Sequence, residues 1–129
     1  MRIFIIVILL LLSSLVYAEN EICKGNPEVV GSCYETRGRI SVYNGTPSIR
    51  MWKVGTNRML GIVPSENEIM PDIIKKHIDF GTEIFGDFVV CPFTEEKPGY
   101  MQMVCIESGK NIRVEDHKED KIEITFIEE

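Results

Sequence analysis

The stretch GDFVVCPFTEEKPGYMQMVC, running from Gly86 to Cys105, reads as two strands joined by a polar turn, with one cysteine in each strand. Phe88 to Phe93 is apolar and β-branched, and Tyr100 to Ile106 repeats that character. Between them Thr94 to Gly99 carries charge and ends in a Pro98-Gly99 turn signal. Cys91 and Cys105 lie equally far from Pro98, so an antiparallel hairpin turning there sets the two cysteines opposite each other.

On the N-terminal side, Ile40 and Val42 alternate with Arg39 and Ser41, which predicts a strand over Arg37 to Tyr43. Asn44-Gly45 is a strong two-residue hairpin signal, because both residues tolerate positive φ. A second strand is expected over Ser48 to Val54, a turn at Gly55 to Asn57, and a third strand over Arg58 to Val63. Together the three form a meander. Pro71 to Phe80 is the helical candidate, with Ile73, Ile74, His77 and Ile78 on one side and Gly81 as its stop. Beyond the hairpin, Gly109-Lys110-Asn111 reads as a turn into a short strand, Ile112 to Val114. The charged run Glu115 to Asp120 reads as a solvated turn. Lys121 to Ile127 closes the chain as a strand of period two, with Ile122, Ile124 and Phe126 alternating with Glu123 and Thr125. Many short strands at this spacing predict an all-β sandwich or small barrel with one short helix.

The N-terminus, MRIFIIVILLLLSSLVYAEN, has the anatomy of a secretory signal peptide: Arg2, an apolar run from Ile3 to Leu12, and Val16-Tyr17-Ala18 before the cut. The apolar run is shorter than the roughly 20 residues of a spanning helix, so no stable membrane anchor is expected after cleavage. Residues 1–18 are therefore read as a leader and residues 19–129 as a single domain, secreted or periplasmic. In an oxidising compartment Cys23, Cys33, Cys91 and Cys105 make two disulfides with three possible connectivities. The preferred pairing is Cys91–Cys105 with Cys23–Cys33, because each closes a local loop. A zinc site would want C-x-x-C pairs and a nearby histidine, and neither is present. The net charge of -6 excludes the basic footprint that nucleic acid requires.

Gly38-Arg39-Ile40 followed by Asn44-Gly45-Thr46-Pro47 and apolar Ile49 and Met51 resembles the opening of carboxypeptidase-regulatory-like and transthyretin-like domains. Gly86-Asp87-Phe88 followed by Gly99-Tyr100 is similar to a later strand pair of the same domains. The resemblance covers about a third of the mature chain and implies an immunoglobulin-like, prealbumin-like antiparallel β-sandwich. The cysteines, the turn after Asn44 and the helix after Met70 depart from the pattern.

No catalytic spacing accompanies these strands. A transthyretin-like hydrolase would need histidines in its early strands and a Tyr-Arg-Gly-Ser ending. This chain has only His77 and His117, and it ends Phe126-Ile127-Glu128-Glu129. General acid–base work needs a histidine or buried carboxylate beside its target, and a nucleophile needs a base. The protein is accordingly read as a non-enzyme without a cofactor. His117 with the carboxylates around it, His77, or the Met101/Met103 pair support an alternative reading, a small secreted or periplasmic protein binding Cu, Zn or Ca, or an enzyme using these residues. A solvated turn and methionine core filling explain the same residues more simply. The binding candidates are Arg50 and Trp52, with Arg39 and Tyr43 from the neighbouring strand. If Ile49 and Met51 face the core, Arg50 and Trp52 face outward, and exposed Trp beside Arg concentrates binding energy at interfaces. The alternative puts Trp52 in the core, since a one-residue slip inverts the faces. The expected role is a binding or structural module whose partner, a protein or a small ligand, the sequence does not name.

Overall fold

The computed structural model describes residues 21–65 and 67–127. The segment read as a leader lies outside them. Six strands and one helical turn follow in order: β1 (Tyr34–Val42), β2 (Ile49–Lys53), β3 (Met59–Ile62), α1 (Asp72–Lys75), β4 (Thr82–Pro92), β5 (Gln102–Lys118) and β6 (Lys121–Ile127).

The first three strands form the expected antiparallel meander. β4 then pairs with the opposite edge of β1, and β5 returns antiparallel to β4. The start of β5 also runs parallel to β3, through Leu60–Gln102 and Gly61–Met103. That pairing closes five strands on themselves, and β6 continues from the far half of β5. The protein is thus mostly antiparallel β with one short helix and two disulfides. The two face-packed sheets of an immunoglobulin-like sandwich are replaced by one closed sheet. Its cause is the length of β5, 17 residues without a break. Gly109-Lys110-Asn111 does not end the strand as expected. Asn111 adopts a left-handed φ of 53° inside it, and register shifts against β4 absorb the bend.

Residues alternate between a dry interior and the outside. Ile40, Met51, Leu60, Ile84, Phe88, Val104, Ile112 and Val114 are buried in the interior cluster. Phe88 is fully buried, and three glycines on three strands make room for it. A Cβ on Gly38, Gly86 or Gly109 would stand 2.9–3.0 Å from the Phe88 ring. Close backbone approach of this kind is what glycine allows inside a strand. Burying such a ring contributes about 2–3 kcal/mol.

The helix is shorter than the ten residues expected. A single turn has little stability of its own, and only Ile74 of this segment is fully buried, seated in the core. Gly81, at φ 78°, then releases the chain into β4. The Asn44-Gly45 turn also differs from the two-residue hairpin expected. Only Gly45 takes a positive φ, and the loop spans Asn44 to Pro47 before Ser48 accepts from the Tyr43 N–H at 2.7 Å.

The disulfide pairing is corrected. Cys91 and Cys105 do sit opposite each other on β4 and β5, yet neither bonds the other. Cys23 joins Cys105 and Cys33 joins Cys91. The lead-in segment lies across the hairpin, with the Val30 N–H donating to Pro92 O at 2.9 Å. Glu107 accepts from the backbone N–H groups of Cys23 and Lys24. The lead-in thus supplies one cysteine to each strand and satisfies its own amides on the way.

Candidate functional site

Met51 is fully buried, so its neighbours Arg50 and Trp52 point out of the barrel. Arg39 is opposite Trp52 and Ser41 is opposite Arg50 on the adjacent strand. The four residues singled out in the sequence therefore share one outer face, as two stacked pairs. The Arg39 guanidinium lies 4.9 Å from the centroid of Trp52, and that of Arg50 lies 4.9 Å from the centroid of Tyr43. Trp52 is half-buried and lies outside the core; its indole N–H donates to Thr56 O at 2.7 Å.

The row extends further than the sequence reading carried it. Following the register across the sheet gives Trp52, Arg39, Phe85, Arg113 and Phe126, one residue on each of β2, β1, β4, β5 and β6. Aromatic and cation alternate along it, and Arg113 stacks on Phe85 at 4.5 Å. Such contacts contribute about 0.5–1 kcal/mol each where exposed and more when desolvated. Only the order in which strands pair reveals this row, since β1 meets β4 rather than β3.

Most of these cations already have carboxylate partners. Arg37 pairs with Asp87, Arg39 with Glu83, Arg58 with Glu96 and Arg113 with Glu115. Among the described residues Arg50 is the arginine with no ion pair. Its Nε–H donates to Pro47 O at 2.8 Å, and a Cβ on Gly45 would stand 3.4 Å from its Nη2. An open hollow of about 450 Å³ on the same outer face is lined by Arg39, Ser41, Tyr43, Glu83 and His117 among others, and Arg50 is not part of its lining.

The remaining sequence candidates separate. His77 is half-buried after α1, and among the described residues it belongs to no cluster of metal-type side chains. Met101 and Met103 are half-buried, and Met103 packs on Gly61, where a Cβ would come within 2.5 Å of its sulfur. That is a packing role. His117 is not in a solvated turn: β5 runs through it, and only Glu119-Asp120, both at positive φ, make the turn. Its Nε2 stands 3.6 Å from Glu83 and 3.7 Å from Glu115. Asp87 is held below the ordinary carboxylate range, first by the Asn111 amide and then by Arg37. Burial, reinforced by Glu96, pushes the Tyr34 phenol up.

Two disulfides are the mark of an oxidising compartment, and no helix among the described residues is long and apolar enough to cross a membrane. No family model, no curated protein and no solved structure matches the chain.

Proposed function

We propose that the protein is an exported, disulfide-stapled binding module that takes an anionic group of its partner on Arg50, between Tyr43 and Trp52. The observation that carries this is the state of Arg50: stacked, tethered through Nε, and without an acidic partner among the described residues. A guanidinium held by one N–H keeps its outer fork for a carboxylate, sulfate or phosphate oxygen pair. The stacked tyrosine limits the rotamer entropy lost on binding. The leader-like N-terminus and the two bridges support export, to a secreted or periplasmic location.

The architecture is consistent with this use. The closed five-stranded sheet with a helical segment between β3 and β4 is read as an OB-like Greek-key barrel. Barrels of that type bind ligands at the β2–β3 face and the β1–β2 and β4–β5 loops. Arg50, Tyr43 and Pro47 lie at the β1–β2 loop. The acidic chain disfavours an oligonucleotide there.

The test is a ¹H–¹⁵N titration with inorganic sulfate and with a short glutamate-rich peptide. Saturable shifts at Tyr43, Gly45, Arg50 and the Trp52 indole are expected. They weaken at least tenfold in Arg50→Gln and survive in Arg37→Gln. Shifts that persist in Arg50→Gln, or a surface that does not respond to either probe, would remove the proposal.

A further inference from the structure

We propose that Glu83, Glu115 and His117 form a binding site for a first-row divalent cation of the Zn²⁺ type on the outer face of the barrel. Glu83 and Glu115 are directly opposed on β4 and β5, and His117 follows Glu115 by two residues on the same face. Two like charges directly opposed across a ladder destabilise it unless something neutralises them.

The way each carboxylate is used separates its two oxygens. Glu83 turns Oε1 to Arg39 Nε at 3.8 Å, and Glu115 turns Oε1 to Arg113 Nε at 3.2 Å. Both leave Oε2 for His117 Nε2, at 3.6 and 3.7 Å. Three ligand atoms of the right kinds, two oxygens and one nitrogen, thus lie within 4.8 Å of one another. A zinc ion sits about 2.0–2.2 Å from such atoms, which places tetrahedral ligands about 3.3 Å apart. Closing the triad on an ion needs a few tenths of an ångström for each contact with His117 and at most about 1.5 Å between the two carboxylate oxygens.

The surroundings fit an ion as well. Arg39 and Arg113 face the outer oxygens as ion pairs, although neither Nε makes a hydrogen bond, and charged groups behind ligating carboxylates help to orient them in metal sites. The two guanidiniums are themselves stacked on Trp52 and Phe85. His117 is pinned through its backbone, its N–H donating to Gly81 O at 2.8 Å. The same hollow that Arg39, Ser41 and Tyr43 line opens onto Glu83 and His117, so positions beyond the three protein ligands remain for water or an anion. One imidazole with two carboxylates suits Zn²⁺ and its first-row neighbours better than Ca²⁺ or Mg²⁺, which prefer all-oxygen shells. The second cluster of metal-type residues, Cys23, Cys91 and Glu107, does not compete, because both sulfurs are in disulfides. The competing account of the triad is a His117 that contacts the two carboxylates without metal.

The test is titration of the EDTA-stripped, disulfide-intact protein with ZnCl₂ at neutral pH, followed by calorimetry and by the His117 ring resonances. One ion per chain is expected, with loss of at least a hundredfold in affinity in His117→Gln and in Glu83→Gln. His77→Gln should bind as the unaltered protein does. Circular dichroism and the Trp52 signal report that each variant is folded. Replacement by Co²⁺ should give visible bands of a low-coordinate site that vanish in His117→Gln. Absence of saturable binding, or binding that survives in His117→Gln, would overturn the site and leave the metal-free contact with the two carboxylates as the role of His117.

Discussion

Replacing Cys23 and Cys105 together by alanine tests the bridge pattern quantitatively. The two bridges span sequence separations of 82 and 58, one nested within the other. With the inner bridge in place, the outer one closes a further loop of only 24 residues, the difference between those separations. The chain-entropy relation then assigns it about 3.5 kcal/mol at 25 °C. With the outer bridge kept, the inner one contributes the difference between both bridges and the outer one alone, about 3 kcal/mol by the same relation, so the two double variants should lose similar stability. Loss of both bridges should remove about 8 kcal/mol, comparable to the whole stability of a small domain. Urea unfolding followed by Trp52 fluorescence is the assay, and each double variant should also melt about 15 °C lower. A thiol count on the denatured Cys23→Ala/Cys105→Ala protein should find none free, because Cys33 and Cys91 remain joined. A loss below about 1.5 kcal/mol would refute the loop reasoning. Two free thiols would refute the connectivity.

Two further predictions concern the barrel wall. Gly86→Ala places a Cβ 2.9 Å from the Phe88 ring and 3.3 Å from the Lys110 carbonyl oxygen; overpacking of this kind should cost about 1–3 kcal/mol in denaturant unfolding. Asp87 has its pKa lowered by the Asn111 amide first and Arg37 second. A carboxyl depressed in the folded state stabilises above its unfolded pKa and loses that contribution as pH falls through the folded one. Asp87→Asn should therefore flatten the acid side of the stability profile below about pH 4. Near neutrality it should change stability by no more than about 0.5 kcal/mol, because both partners keep partial contact with solvent, which screens the pair.

The meander was legible because period-two alternation and glycine turns mark it: Arg37 to Tyr43, Ser48 to Val54 and Arg58 to Val63 fall within a few residues of β1 to β3. The same alternation left two faces open for Arg50 and Trp52, and the burial of Met51 between them selects the outward one. Barrel closure was not legible. Gly109-Lys110-Asn111 has turn chemistry, and the chain uses it to bend β5 instead of ending it. Cutting β5 there also misplaced His117, whose companion Glu83 belongs to another strand. The disulfides were misread for a related reason. Loop entropy favours near neighbours, whereas packing the lead-in across the β4–β5 hairpin brings Cys23 and Cys33 to partners 82 and 58 residues away. Phe85, Arg113 and Phe126 carry no local signal at all, because their alignment depends on which strands become neighbours.

Among the described residues β6 pairs only with β5, and nearly all of it is exposed on both faces, from Lys121 to Phe126. It takes little part in the interior, so breaking the β5–β6 ladder requires no opening of the barrel. Local openings of this sort lie at the low-energy end of a protein's native fluctuations. Amide protons of β6 therefore exchange with solvent long before those of β1 and β4. The inner edge of β5 stays protected by β4 throughout such an event. Glu83, Glu115 and His117 all lie on that protected pair of strands. The outer face can thus shed its last strand and, with it, Phe126 from the end of the stacked row, while the three ligand side chains keep their places.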